Sequence, residues 1–306
     1  MNAMQSQAQT RMQARMQTQM RAQMQAQMRA QMRAQMRAWI NNTLLSLKLT
    51  FRDRQAIFWT YVFPLFFLFL FSSVFARGRA EMVVGLLPGL LCISVMSAGL
   101  FGMSIVLAAM RERGILRRYR LAPISPWMII TSELASSLLI ALSTLLMQIA
   151  LAKVVYRIEI KGSILAMLVM LASGALAFLS LGFVIASIAE NVRTAQVLSN
   201  ILFFPLMFLG AAAFPMQFLP PKLQSLARAL PSGYMVDGLY RVMKEGASLG
   251  ANLKNLGVLL LSSAVSLLIA AKLFRWEARE PMPLKQKAWA AAIVLIFAGA
   301  TLFVKR

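Results

Sequence analysis

Few residues in this chain could do chemistry, and their identities exclude most catalytic classes. Histidine is absent and Cys92 is the only cysteine. That removes a disulfide framework, a Cys/His zinc centre and any His- or Cys/His-based nucleophilic triad. No G-x-x-x-x-G-K-[ST] loop occurs, so the chain has no phosphate cradle of that kind for ATP. Two charged features remain. Glu133 is the one carboxylate inside a long apolar run, where a charge costs at least ~2.5 kcal/mol at mid-bilayer. It lies seven residues into the run, about 10 Å of helical rise, so it can reach the interface. An interfacial or packing role is therefore favoured over a substrate or proton role. The second feature is the basic stretch 111–126, with five arginines against the single Glu112. Gly114 and Pro123 punctuate it. On physics alone it is a cytoplasmic loop with a short basic helix.

The elements around these residues are membrane spans. The 306 residues are 59% hydrophobic and only 14% charged, with a mean hydropathy of +0.67. A soluble domain is nearer 45–50% apolar and about 25% charged. Crossing roughly 30 Å of hydrocarbon takes about 20 apolar residues at 1.5 Å each. Six runs qualify: Gln55–Ala76, Met82–Met110, Trp127–Ala152, Ser163–Ala189, Thr194–Phe214 and Leu256–Phe274. Ala288–Val304 is a shorter seventh, bracketed by Lys285, Lys287, Lys305 and Arg306. It is read as an additional span, with a helix lying in the interface as the alternative. Pro64, Pro88 and Pro205 should kink or open their spans. Gly85, Gly89, Gly99, Gly102, Gly174 and Gly182 lie within spans and permit close helix approach, Gly85 and Gly89 as a GxxxG pair.

The net charge of +22 orients the chain. With the N-terminus inside, cytoplasmic segments hold 19 Lys and Arg and external ones 12, which the positive-inside rule favours. Ser125 is then internal and Ser232 external. Residues 1–38 are a low-complexity tail in which Met12, Met16, Met20, Met24, Met28, Met32 and Met36 recur every fourth position. Such a row drifts about 40° per repeat, so it forms no lasting coiled-coil seam. The tail is expected to be disordered or weakly helical, with contact to anionic lipid as the sharper alternative. Nucleic-acid binding through it is disfavoured, because no aromatic precedes Trp39 for base stacking. From Trp39 to Arg54, Ile40, Leu44, Leu47 and Phe51 make one apolar row, which predicts an amphipathic helix flat at the interface.

The order Glu112, Gly114, Leu116, Arg117, Arg118, Leu121, Pro123, Pro126 resembles the coupling loop of type-2 ABC transporter permeases. A second stretch supports the same resemblance: Phe203-Phe-Pro through Gly210, then Phe214-Pro215, Leu219-Pro220, and Leu230-Pro231 leading to Tyr234, Asp237-Gly and Arg241. Phe51-Arg-Asp-Arg-Gln through Pro64 is similar as well. The likeness covers about residues 39–277, and leaves out the 1–38 tail and the 278–306 extension.

The resemblance implies an all-α integral membrane protein with the six-span transmembrane domain of a type-2 ABC exporter. An N-terminal interfacial helix would precede the spans, two re-entrant helices would lie between spans five and six, and a seventh span would be extra. The 111–126 loop would dock on a separate ATP-binding cassette subunit, which would hold the ATP and magnesium that this chain does not. A second permease subunit, identical or paralogous, would complete the translocation path in the cell membrane. Apolar spans with little polar lining suggest a lipophilic or amphiphilic cargo such as a drug, lipid or glycan. The rival is an ion-coupled transporter or integral membrane enzyme working without ATP, which should show several ionisable groups within its spans.

Overall fold

The computed structural model describes residues 2–52, 54–76, 79–116, 126–213, 220–227 and 229–273, and their regular structure is entirely helical. The helices are α1 (Asn2–Arg52), α2 (Arg54–Ile57), α3 (Phe63–Phe71), α4 (Ala80–Ser97) and α5 (Ser104–Glu112). They continue as α6 (Pro126–Tyr156), α7 (Ile164–Ile188), α8 (Val192–Leu209), α9 (Pro221–Ala227), α10 (Pro231–Glu245) and α11 (Leu253–Leu273). The expected seventh span lies outside the described residues.

Five helical stretches are long and apolar enough to cross a membrane: Ala80–Glu112, Ile130–Tyr156, Ile164–Ile188, Val192–Leu209 and Gly250–Leu273. They coincide with five of the six runs read from the sequence. The first run is different. It is broken by π-helical turns at Phe58–Val62 and Ser72–Ala76, and its apolar helix, Thr60–Phe75, is shorter than the other five. Pro64 explains the first break, because it sits in the opening turn of α3 and donates no backbone hydrogen bond. Pro88 and Pro205, in contrast, lie inside continuous helices.

Of the two expectations for the tail, disordered or weakly helical, the described residues adopt the helix. Gln, Ala, Arg and Met are all good helix formers, and α1 runs without interruption from the tail through the amphipathic segment. Met24, Met28, Met32 and Met36 stay exposed along it.

α7 is the core helix. From Ser173 to Ser187 nearly every residue is buried, which is the pattern of a helix packed on all sides. Its closest neighbour is the span made of α4 and α5. A Cβ on Gly99 would overlap the Phe178 backbone, and one on Gly182 would overlap the Gly99 carbonyl. Both glycines are among the small span residues read from the sequence, as is the Gly85–Gly89 pair. Gly85 borders open space and Gly89 faces the Ala212 backbone, so that pair forms no helix–helix seam among the described residues of this chain.

Between α4 and α5 a π-helical turn spans Ala98–Met103. The hydroxyls of Ser104 and of Ser199, on α8, both donate to the Leu100 carbonyl there. Other buried side chains tie spans together. Gln148 donates to Ser94 at 3.0 Å, and Ser180 meets Ser263 at 3.0 Å. Contacts of this kind contribute about 0.6 kcal/mol each in a membrane.

Candidate functional site

Three groups of sequence-derived site residues fall at helix ends. The first is the start of the basic loop. Gly114 adopts φ +70°, a left-handed conformation that favours glycine, and its N–H donates to the Arg111 carbonyl, closing α5. Arg111 is 3% exposed. Its Nη1 donates to the Ala186 carbonyl and, at 2.7 Å, to the Ala189 carbonyl, at the C-terminus of α7. The neighbouring Glu112 points elsewhere: its Oε2 accepts the Val192 N–H at 3.2 Å, at the first residue of α8. Asn191 caps the same helix, its Oδ1 accepting the Thr194 N–H at 2.8 Å. Each charge thus meets a helix end of opposite partial charge, cation at a C-terminus and anion at an N-terminus.

Leu116 is 1% exposed, so within this chain it anchors the loop inward. Arg113 is exposed. Arg117, Arg118, Leu121 and Pro123 lie outside the described residues. Arg111 was read from the sequence as one of five loop arginines, and its role at the end of α7 was missed. The available signal was the turn between α7 and α8. It is so short that its helix ends need partners from elsewhere.

The second group surrounds Glu133, on α6. The residue is 6% exposed and its Oε2 accepts the Ser46 hydroxyl at 2.8 Å. Trp39 Nε1 donates to Thr131 at 3.1 Å, Asn42 Nδ2 donates to Ser132, and the Thr43 hydroxyl donates to the Ser132 carbonyl. While α1 advances from residue 39 to 46, about 10 Å, its partners on α6 advance only from 131 to 133. α1 therefore lies across the end of α6. Trp39, Asn42, Thr43 and Ser46 face the bundle, while Ile40, Leu44 and Phe51 are exposed alongside Asn41, Lys48 and Arg52. An outward apolar row on a helix crossing the base of a span suits the membrane interface.

The third group is the segment after α8. Pro220 precedes α9, and Pro231 opens α10. At its end α10 meets the α6–α7 connection, where the Lys161 N–H donates to the Met243 carbonyl at 3.1 Å. Nearer its start, Met235 packs on Gly174 and Ser232 donates to the Leu206 carbonyl at 3.0 Å. Gly174 is ten residues into α7, about 15 Å of rise, or half of a ~30 Å hydrocarbon layer. α10 therefore reaches about half-way along α7 within the bundle. Ser232 is fully buried at its deep end, not displayed on an outer surface. Asp237 accepts from Asn255 Nδ2 at 2.9 Å, tying α10 to α11. Arg241 approaches Glu245 at 3.9 Å, and Tyr234 is half-buried. Pro215 lies outside the described residues.

Among the described residues no cluster of three or more His, Cys, Asp or Glu side chains could hold a metal ion. The arrangement is one of helix ends, interfaces and apolar faces.

Comparison with known proteins agrees with this description. Residues 37–243 match the family model for the ABC-2 type transporter. A Bacillus subtilis (strain 168) protein named as a transport permease, YvfS, is 21% identical over 215 residues, which is 69% of this chain and 87% of that protein. Nodulation protein J of Rhizobium leguminosarum bv. viciae is 31% identical over 100 residues, covering 33% of this chain and 38% of the relative. YbhR of Escherichia coli (strain K12), named as a multidrug ABC transporter permease, is 23% identical over 172 residues, 56% of this chain and 47% of its own length. The chain thus spans most of the first relative but less than half of the other two.

Proposed function

Because the chain belongs to the ABC-2 type transporter family, and so is a multi-pass membrane permease subunit of an ABC transporter, we propose that it exports a lipophilic or amphiphilic substrate, driven by ATP hydrolysis on a separate subunit. The family implies association with an ATP-binding cassette subunit; in this reading that subunit supplies the nucleotide and its magnesium. The observation that carries the proposal is the 111–116 segment. It leaves a long span, is fastened at its root to the α7–α8 turn, and displays Arg113 outward. A loop rooted in this way can pass a push from a partner into several spans at once. Paired permease subunits would then alternate between two states of different substrate affinity.

The substrate class follows from the exposed faces. Val197, Ile201, Phe204 and Phe208 form one apolar stripe on α8, and Leu260, Leu261 and Leu268 are exposed on α11. The two buried charged side chains among the described residues, Arg111 and Glu133, each bond within the protein. This favours an apolar route over an ion relay, which would need several ionisable groups within spans. A lipophilic cargo also accords with the multidrug designation of the Escherichia coli relative.

The test is co-purification of an ATP-binding subunit with Arg113→Glu and with Arg117→Glu plus Arg118→Glu. Membrane level should hold, while subunit recovery and ATP hydrolysis fall together, since loss of one interface hot spot costs about 2 kcal/mol or more. Leu116→Asp, buried against its own chain, should lower the membrane level itself. Full recovery of the ATPase with every arginine variant would reduce the loop to a topogenic signal and move the search to α1.

A further inference from the structure

We propose that Arg111 and Glu112 are a pair of positioning residues that lock the end of α5 to the α7–α8 turn, so that the coupling loop and spans four and five move as one body. The inference deepens the reading above and rests on it.

The geometry is specific. Two consecutive residues of opposite charge leave the last turn of α5 in different directions. Arg111 reaches the closing carbonyls of α7, at Ala186 and Ala189, and Glu112 reaches the opening N–H of α8, at Val192. The turn between those two helices consists of Ala189, Glu190 and Asn191. Helix ends leave carbonyls and N–H groups without intrahelical partners, and a turn this short can supply few itself. Asn191 serves one N–H of α8. Arg111 and Glu112 serve groups at both sides of the turn from a span that is remote in sequence. Each contact also has the favourable sense of the helix dipole, worth roughly 0.3–1 kcal/mol per charge.

The lock has a mechanical counterpart higher on the same span. Gly99 and Gly182 bring α7 into backbone contact with the π-helical turn between α4 and α5, and Ser199 of α8 bonds to that turn. α5 is therefore held to α7 and α8 at both of its ends. Displacement of the loop after Glu112 must carry both neighbours with it, while α4, on the far side of the π-helical turn, need not follow. π-Bulges of this kind often mark functional positions in helices.

The test places spin labels at Val106 on α5 and at Glu190 in the turn, both exposed and neither making the contacts of the lock, on a Cys92→Ser background. In nucleotide-free protein the 106–190 distance should be single and narrow. It should broaden in Glu112→Ala and in Arg111→Leu, and narrow again in Glu112→Gln, which keeps a carbonyl acceptor for Val192. In the complex with its ATP-binding subunit, vanadate trapping should leave the wild-type distance unchanged to within about 2 Å, the scale of ordinary helix slippage. Glu112→Ala should lower kcat for ATP about two- to fivefold with KM for ATP unchanged, because the nucleotide sits on the partner. A wild-type distance that shifts further on trapping, or a Glu112→Ala distribution as narrow as wild type, overturns the lock. If no ATP-binding subunit associates, the functional reading fails, and the nucleotide-free comparison still decides whether the lock exists.

Discussion

Gly182 and Gly85 sit in similar apolar surroundings in the sequence, yet the fold treats them oppositely. A side chain at Gly182 would overlap the Gly99 carbonyl, whereas one at Gly85 meets nothing within 4 Å. Gly182→Val should therefore lower the thermal stability of the purified protein by an overpacking cost of about 1–3 kcal/mol, while Gly85→Ala leaves the melting temperature unchanged. Equal effects would mean that α7 and the π-helical turn between α4 and α5 do not meet as described. Glu133 was legible in the sequence as a lone carboxylate in an apolar run. Its partner was not, because Ser46 lies 87 residues away and no local spacing announces it. With the Ser46 hydroxyl as donor, Glu133 needs only an acceptor oxygen. Glu133→Gln should keep transport within about threefold of wild type, the value of one interhelical hydrogen bond. Abolished transport with normal membrane level would point to a proton-carrying role instead.

At the scale of elements, apolar length was the strongest signal, and five spans appear where the sequence placed them. Their limits moved where a polar residue joined the helix: the second span continues through Arg111 and Glu112 because both find partners at neighbouring helix ends. The first run shows where length alone misleads, since Pro64 and the flanking π-helical turns divide it. α1 divides too, although it is one helix. Its bonds to α6 begin at Trp39, and Met24, Met28, Met32 and Met36 are exposed ahead of them. Deleting residues 2–35 should leave membrane insertion, ATPase association and export close to wild type. Loss of ATPase association in that deletion would show that the tail forms part of the machine. The amphipathic row at 40–51 was legible. That its polar side would face inward was not, because the accepting groups belong to α6.

The whole molecule gains its unity from α10, which touches neighbours that the sequence separates widely. A motif could identify this helix, but its depth depends on partners as distant as Lys161 and Gly174. Orientation is tested on the same scale. With Cys92 replaced by Ser, a cysteine at Glu159, exposed in the α6–α7 connection, should react with an impermeant thiol reagent in intact cells. A cysteine at Arg193, exposed at the start of α8, should react only after lysis. The reverse pattern would invert the chain. The deep seat of α10 also constrains how the protein is made. When α10 emerges from the ribosome its partners at Lys161, Gly174 and Leu206 have already been made, whereas α11 has yet to be synthesised. Its Asp237 finds Asn255 only after that last described span arrives. The seat of α10 is thus complete only once α11 arrives, and a chain arrested before residue 255 should leave Asp237 without its Asn255 donor while Met235 can already meet Gly174.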